Sequence, residues 1–270
     1  MHSKRRFWRQ FGKRLALLGL AFVTGLCVTL TRFGELATHQ SAIAQAPAKL
    51  SALPTEKVHP LPPSLAQWQA PKGVGDYFSE VKPTPVGYLV WSEFPVQVHV
   101  EHSPNPRDSS AQARRFQKWV DAVLQAVEEW GVYLPLVVVE QPEADITIKR
   151  ELPPREVSVN RETGQLQIPR ARSAQTRYEF YVRQVPNRAA VLSHRMTIYL
   201  SPDQAEAYTL ATARHEFGHA LGIWGHSPSK TDALYFSQRH HPADISARDI
   251  NTLKKVYQQP TRLGWSLPNS

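Results

Sequence analysis

His215 and His219 lie four residues apart in the run Ala213-Arg214-His215-Glu216-Phe217-Gly218-His219-Ala220-Leu221-Gly222. On a helix that spacing puts both imidazoles on one face, one turn apart, where two nitrogens can hold one zinc ion. Glu216 is next to the first ligand, so its carboxylate can reach a water on the metal without binding the metal itself. Zinc lowers the pKa of such a water towards about 7, and a carboxylate can then take its proton. Gly222 can adopt the positive φ that turns a chain out of a helix. The turn would bring Ile223-Trp224-Gly225-His226 back past the metal, with His226 as third ligand. Three histidines and a water make an open, catalytic zinc site. A bare H-E-x-x-H also occurs in ordinary amphipathic helices, as core or solvated histidines beside a salt-bridging Glu. The glycine at the helix exit and the histidine close behind it favour the metal.

Other ligand sets are weaker. No Glu follows Glu216, so a third ligand from a Glu on a later helix is excluded. Asp232 is a possible third ligand but lies farther from the turn than His226. His240 and His241 could also approach, though an exposed loop accounts for them equally well. The single Cys, Cys27, excludes a disulfide-stapled scaffold and a Cys-ligated zinc ribbon.

The elements that must position these residues follow from periodicity. Pro95 to Val100 alternates as a strand. Ser109-Ser110 caps a helix whose apolar positions Phe116, Trp119, Val120, Val123, Leu124, Val127 and Trp130 form one stripe, ended by Gly131. Leu134 to Val139 is wholly apolar and predicts a central strand. Ala144 to Ile148 and Met196 to Leu200 are further strands, and Gln165 to Ile168 and Tyr178 to Val182 are candidates. The histidine-bearing helix spans about 207–221. Ser246 with Asp249 three residues on is a capping-box arrangement opening a last helix, with Ile250, Leu253 and Tyr257 on one face. This order predicts an α/β to α+β fold, one mostly parallel sheet covered by two long helices.

The chain has 270 residues and a net charge of +9, which invites a nucleic-acid reading. Residues 1–44 hold seven basic residues and one acidic, a net of +6, so only +3 remains for the other 226. Six of the seven precede an uncharged run, Leu15 to Thr31. A basic end followed by an apolar core is an export signal, with Ala42-Ile43-Ala44 as a cleavage site, or else a retained signal-anchor. Either topology puts the rest outside the cytoplasm, as a periplasmic, secreted or membrane-anchored protein, with residues 15–31 as the membrane tether in the anchored case. Residues 45–90 are Pro-rich and aperiodic and predict a tether or short pro-segment. No nucleic acid is expected as partner.

With these residues in view, the sequence resembles the metzincin peptidases, and among them the matrixins, as a bacterial exported member. HEFGHALG is the pattern of their active-site helix. Phe116 to Ile146 resembles the family's first helix, second strand and third strand. His226-Ser227 followed by Ala233-Leu234-Tyr235 resembles the segment leading to the Met-turn, and Ile245 to Tyr257 the final helix. The resemblance implies a zincin catalytic domain over residues 91–260 with a short tail, 261–270. Its sheet would be twisted and mostly parallel with an antiparallel edge strand, beside two long helices and a C-terminal helix. It also implies a monomeric zinc endopeptidase with one catalytic Zn2+ on His215, His219 and His226, Glu216 as general base, and a peptide or protein substrate. The extended peptide would add to an edge strand, with Arg177 to Arg183 or residues 156–160 as candidates.

Three departures from the matrixin pattern stand out. Three residues, not two, separate Gly222 from His226. Tyr235 occupies the Met-turn position, as an apolar floor under the metal or with its hydroxyl towards it. The exported part has no cysteine for a latency switch. The alternative function is a catalytically inactive zinc-binding domain of the same fold that binds a peptide or an envelope partner.

Overall fold

The computed structural model describes residues 53–268 except 104, 106, 156–157, 161, 168–171 and 238–242. The chain divides into two units, Met1–Gln40 and Ser41–Ser270, and the described residues all belong to the second. The export signal, its cleavage site, Cys27, Ile168 and His240-His241 lie outside the described residues. No helix among the described residues is long and apolar enough to cross a membrane.

In chain order the elements are α1 (Pro63–Gln67), β1 (Val96–Val100), α2 (Ala111–Gly131), β2 (Leu136–Val138), β3 (Ile146–Lys149), β4 (Ser158–Val159), β5 (Leu166–Gln167), β6 (Ala174–Arg183), β7 (Val191–Leu200), α3 (Glu206–Ala220) and α4 (Ala247–Tyr257), with a 3-10 turn at Phe78–Glu80. One five-stranded sheet has the order β2-β1-β3-β7-β6, and β4 and β5 pair as a separate hairpin. The pairs β2–β1, β1–β3 and β3–β7 are parallel, while β6 runs antiparallel to β7 at the edge. The fold is therefore mixed α/β with a mostly parallel sheet, as the element order predicts.

Strand register explains the core. Val98, Ile146, Met196 and Tyr178 fall in one row across the sheet, and Val100, Ile148, Ile198 and Thr176 in the next. Alternation sends all eight to one face, and all eight are buried. Helix α2 supplies Trp119, Val123, Val127 and Trp130 to the core, and its N-terminus is capped by Ser110, whose side chain accepts from the backbone N–H of Ala113. Helix α4 begins with the expected capping box: Ser246 Oγ accepts from Asp249 N and the Asp249 carboxylate accepts from Ser246 N.

Three expectations need correction. The apolar run Leu134–Val139 is not a central strand: β2 lies at the sheet edge, with Val137 and Val138 39% and 49% exposed. An unbroken apolar run does not by itself say how many neighbours a strand has. Residues 53–90, expected as a tether or short pro-segment, do not merely run over the surface but pack into the core. Leu65, Tyr77, Val81, Val86, Leu89 and Val90 are all buried in the core. The segment is fixed by Trp68 Nε1 donating to Asn251 on α4 and by paired backbone bonds between Lys57 and Thr261. The expected tail is also structural, since Thr261 and Leu263 are buried and Leu192 N donates to Trp265 O. These contacts join residues far apart in the chain, 183 positions in the case of Trp68 and Asn251, so no local period reveals them.

Candidate functional site

Helix α3 carries His215, Glu216 and His219, and its end is shaped by two glycines. Gly222 has φ +122°, and a Cβ there would overlap the carbonyl oxygen of Leu89. Positive φ and lack of room both require glycine at this exit, as expected from the sequence. Beyond it, Ile223 N donates to Gly218 O (3.1 Å) and Trp224 N to Gly222 O (2.8 Å), folding the chain back along the helix. Gly225 abuts the 3-10 turn: a Cβ there would lie 2.7 Å from Glu80 C and 2.9 Å from Val81 Cα. Lys82 N donates to Trp224 O (3.0 Å) from the same segment. The three-residue spacer before His226 is thus held by residues 80–82 of the Pro-rich segment.

This folding gathers His215, His219 and His226, with one potential ligand atom from each within 4.8 Å of the others. His215 Nε2 and His219 Nε2 are 3.2 Å apart. Two nitrogens of a tetrahedral zinc with bonds near 2.05 Å would be separated by about 3.3 Å, so this pair already has ligand spacing. The far ring nitrogens are occupied. His215 Nδ1 is 2.9 Å from Ala233 O and His219 Nδ1 is 2.7 Å from Ile223 O. Donation to those carbonyls fixes the tautomer that leaves the Nε2 lone pairs for a metal. The rings of His215 and His226 stack, and the Trp224 ring meets His219 edge-on.

Electrostatics favour neutral imidazoles. Burial, then the charges of His215 and His226, holds His219 well below the ordinary histidine value. Burial, then His215 and Arg172, brings His226 down to about 4. Histidine must be neutral to bind a metal, so both are in ligand form at neutral pH. The donor set of the three histidines fits a zinc ion, which supports the expected cofactor at the level of a metal-binding cluster.

Glu216 is 8% exposed. Burial raises its pKa, opposed by His215, by hydrogen bonds from Thr176 and by Arg172. Thr176 Oγ1 lies 2.7 Å from Glu216 Oε2 and 2.9 Å from the Glu216 carbonyl oxygen. Sequence reading missed Thr176 because the strand was recognised only from Tyr178. Extending the Thr176-Tyr178-Phe180 alternation backwards would have put a threonine on the buried face.

The remaining site residues fall as follows. Asp232, the alternative third ligand, is engaged elsewhere: its Oδ2 accepts from Ser227 Oγ (2.5 Å) and pairs with Arg248 Nε (2.9 Å). Tyr235 is half-buried, with its backbone bridged to Ser227 and its ring against Phe236. The neighbouring Leu234 is fully buried and packs on α3, so close to Gly218 that a Cβ there would be 2.6 Å from Leu234 Cδ2. Beneath this segment, Asp249 is fully buried and accepts from Tyr77 Oη (2.5 Å) and Ala233 N (2.9 Å). Ala233 therefore links Asp249, through its N–H, to His215, through its carbonyl.

No model of a known protein family matches the chain, and no curated protein matches it.

Proposed function

We propose that this chain is a zinc-dependent endopeptidase with a metzincin-like, matrixin-type catalytic domain, exported from the cytoplasm. The observation that carries the reading is the convergence of three histidines around one point, with a buried carboxylate on the same helix. His215, His219 and His226 would hold the metal. A zinc ion there supplies Lewis acidity towards a peptide carbonyl and lowers the pKa of a water.

The chain's own residues account for the other requirements. Glu216 accepts the proton of the attacking water and passes it to the leaving amine, the work of a general base and then a general acid. Its burial favours the protonated form in the second role. Among the described residues β6 is the antiparallel edge strand of the sheet, so an extended peptide would add on its side away from β7 by main-chain hydrogen bonds. Of the two edge candidates, Arg177 to Arg183 lies wholly within β6. Thr176, beside that stretch, touches Glu216, so the strand that would take the substrate adjoins the base.

The test is Glu216→Ala in the purified protein. The variant should keep its zinc and lose cleavage of a casein or peptide-library substrate. Loss of bound zinc, or full retained cleavage, would defeat the assignment.

A further inference from the structure

We infer that Thr176 is a positioning residue for Glu216: its hydroxyl holds one carboxylate oxygen so that the other faces the reaction. The inference rests on the peptidase reading above.

Thr176 occupies a register position otherwise filled by apolar side chains. Its row across the sheet is Val100, Ile148, Ile198 and Thr176, and it is 7% exposed. A hydroxyl on a buried face is unfavourable unless it finds a partner. Here it finds Glu216 Oε2 at 2.7 Å and the Glu216 carbonyl oxygen at 2.9 Å. A hydroxyl has one proton, and the carboxylate is the stronger acceptor because it carries charge.

The consequence for Glu216 is geometric. A glutamate has three side-chain torsions to settle, and a carboxylate tied at one oxygen can present only the other. Within α3, the residue's own turn offers its side chain no such restraint. The tie comes from a different element, β6, so the base is fixed to the strand proposed to bind substrate. Two residues on, Tyr178 packs edge-on against Trp224, which in turn meets His219. The inward face of β6 thus supports both the base and a metal-ligating ring. General-base catalysis depends steeply on placement, and a displacement near 1 Å can cost about 100-fold in rate.

The experiment compares wild type, Thr176→Val and Thr176→Ser in the full chain. Valine keeps the shape and removes the hydroxyl, whereas serine keeps the hydroxyl. Measured quantities are kcat and KM on one peptide substrate, zinc per chain, melting temperature, and the crystal structure of each variant. The inference expects kcat to fall about 10- to 100-fold in Thr176→Val, with KM and zinc content unchanged and the Glu216 carboxylate moved in the crystal. Thr176→Ser should recover most of kcat and hold the carboxylate in place. An unmoved carboxylate, an undiminished kcat, or a loss in Thr176→Val that serine does not rescue overturns it. An unmoved carboxylate with a lowered melting temperature in Thr176→Val, restored by serine, would identify a strand-to-helix tie through the Glu216 carbonyl instead. A wild-type protein that binds zinc but cleaves nothing defeats the peptidase reading and this inference with it. An active wild type with unaltered Thr176→Val defeats the inference alone.

Discussion

Gly225→Ala is a perturbation whose size can be worked from the coordinates. A Cβ at this position would stand 2.7 Å from Glu80 C and 2.9 Å from Val81 Cα. Non-bonded carbons settle at about 3.5–4.0 Å, so the two backbones must separate by about 1 Å. Neither can yield cheaply, since Lys82 N is bonded to Trp224 O and Val81 is buried in the core. His226 is the next residue. Metal–ligand distances are held to about 0.2 Å, so a shift of that size takes the third imidazole out of bonding range.

Zinc affinity in Gly225→Ala should therefore fall by about 10- to 100-fold, approaching that of His226→Ala. The assay is competition with a chromophoric chelator, with Gly75→Ala as control because a Cβ there meets nothing closer than 4.0 Å. Wild-type zinc affinity in Gly225→Ala would refute the idea that residues 80–82 hold the ligand turn.

Leu65→Ala should destabilise the protein by about 2–5 kcal/mol in denaturant unfolding, because Leu65 is fully buried; a true tether residue would cost nothing. Tyr77→Phe removes the hydroxyl that donates to the buried Asp249 and should cost about 1.5–3 kcal/mol in the same assay. His194 is buried against Trp91 with its pKa pushed down to about 3 by burial. Its unfolded form takes up a proton near pH 6.5 and the folded form does not, so its contribution to stability is complete above that pH and is lost as pH falls towards 3. A His194→Phe variant, followed by melting temperature against pH, should lose stability less steeply over that window; an unchanged slope would count against the buried neutral imidazole.

Local signals carried most of what the sequence revealed. The stripe of α2, the capping box of α4 and the H-E-x-x-H spacing of α3 each depend on residues a few positions apart, and each is present as expected. The requirement for glycine at 222 was legible from its place after the helix. What was not legible depends on distant partners. Nothing near Gly225 in the sequence shows why it must be glycine; its constraint is Glu80, far back in the chain. The proline content of residues 53–90 concealed side chains that reach the core without any period. Thr176 gained meaning only when strand register brought it beside α3.

Metal reconstitution tests the central claim most directly. Zinc is stripped from the purified protein with a chelator, the chelator is removed, and peptide cleavage is followed as zinc is added back. The account predicts no cleavage by the stripped protein and a linear gain that ends at one zinc per chain, with no gain in His219→Ala. Cleavage without metal, or none at any zinc level in a protein that binds the ion, would contradict it.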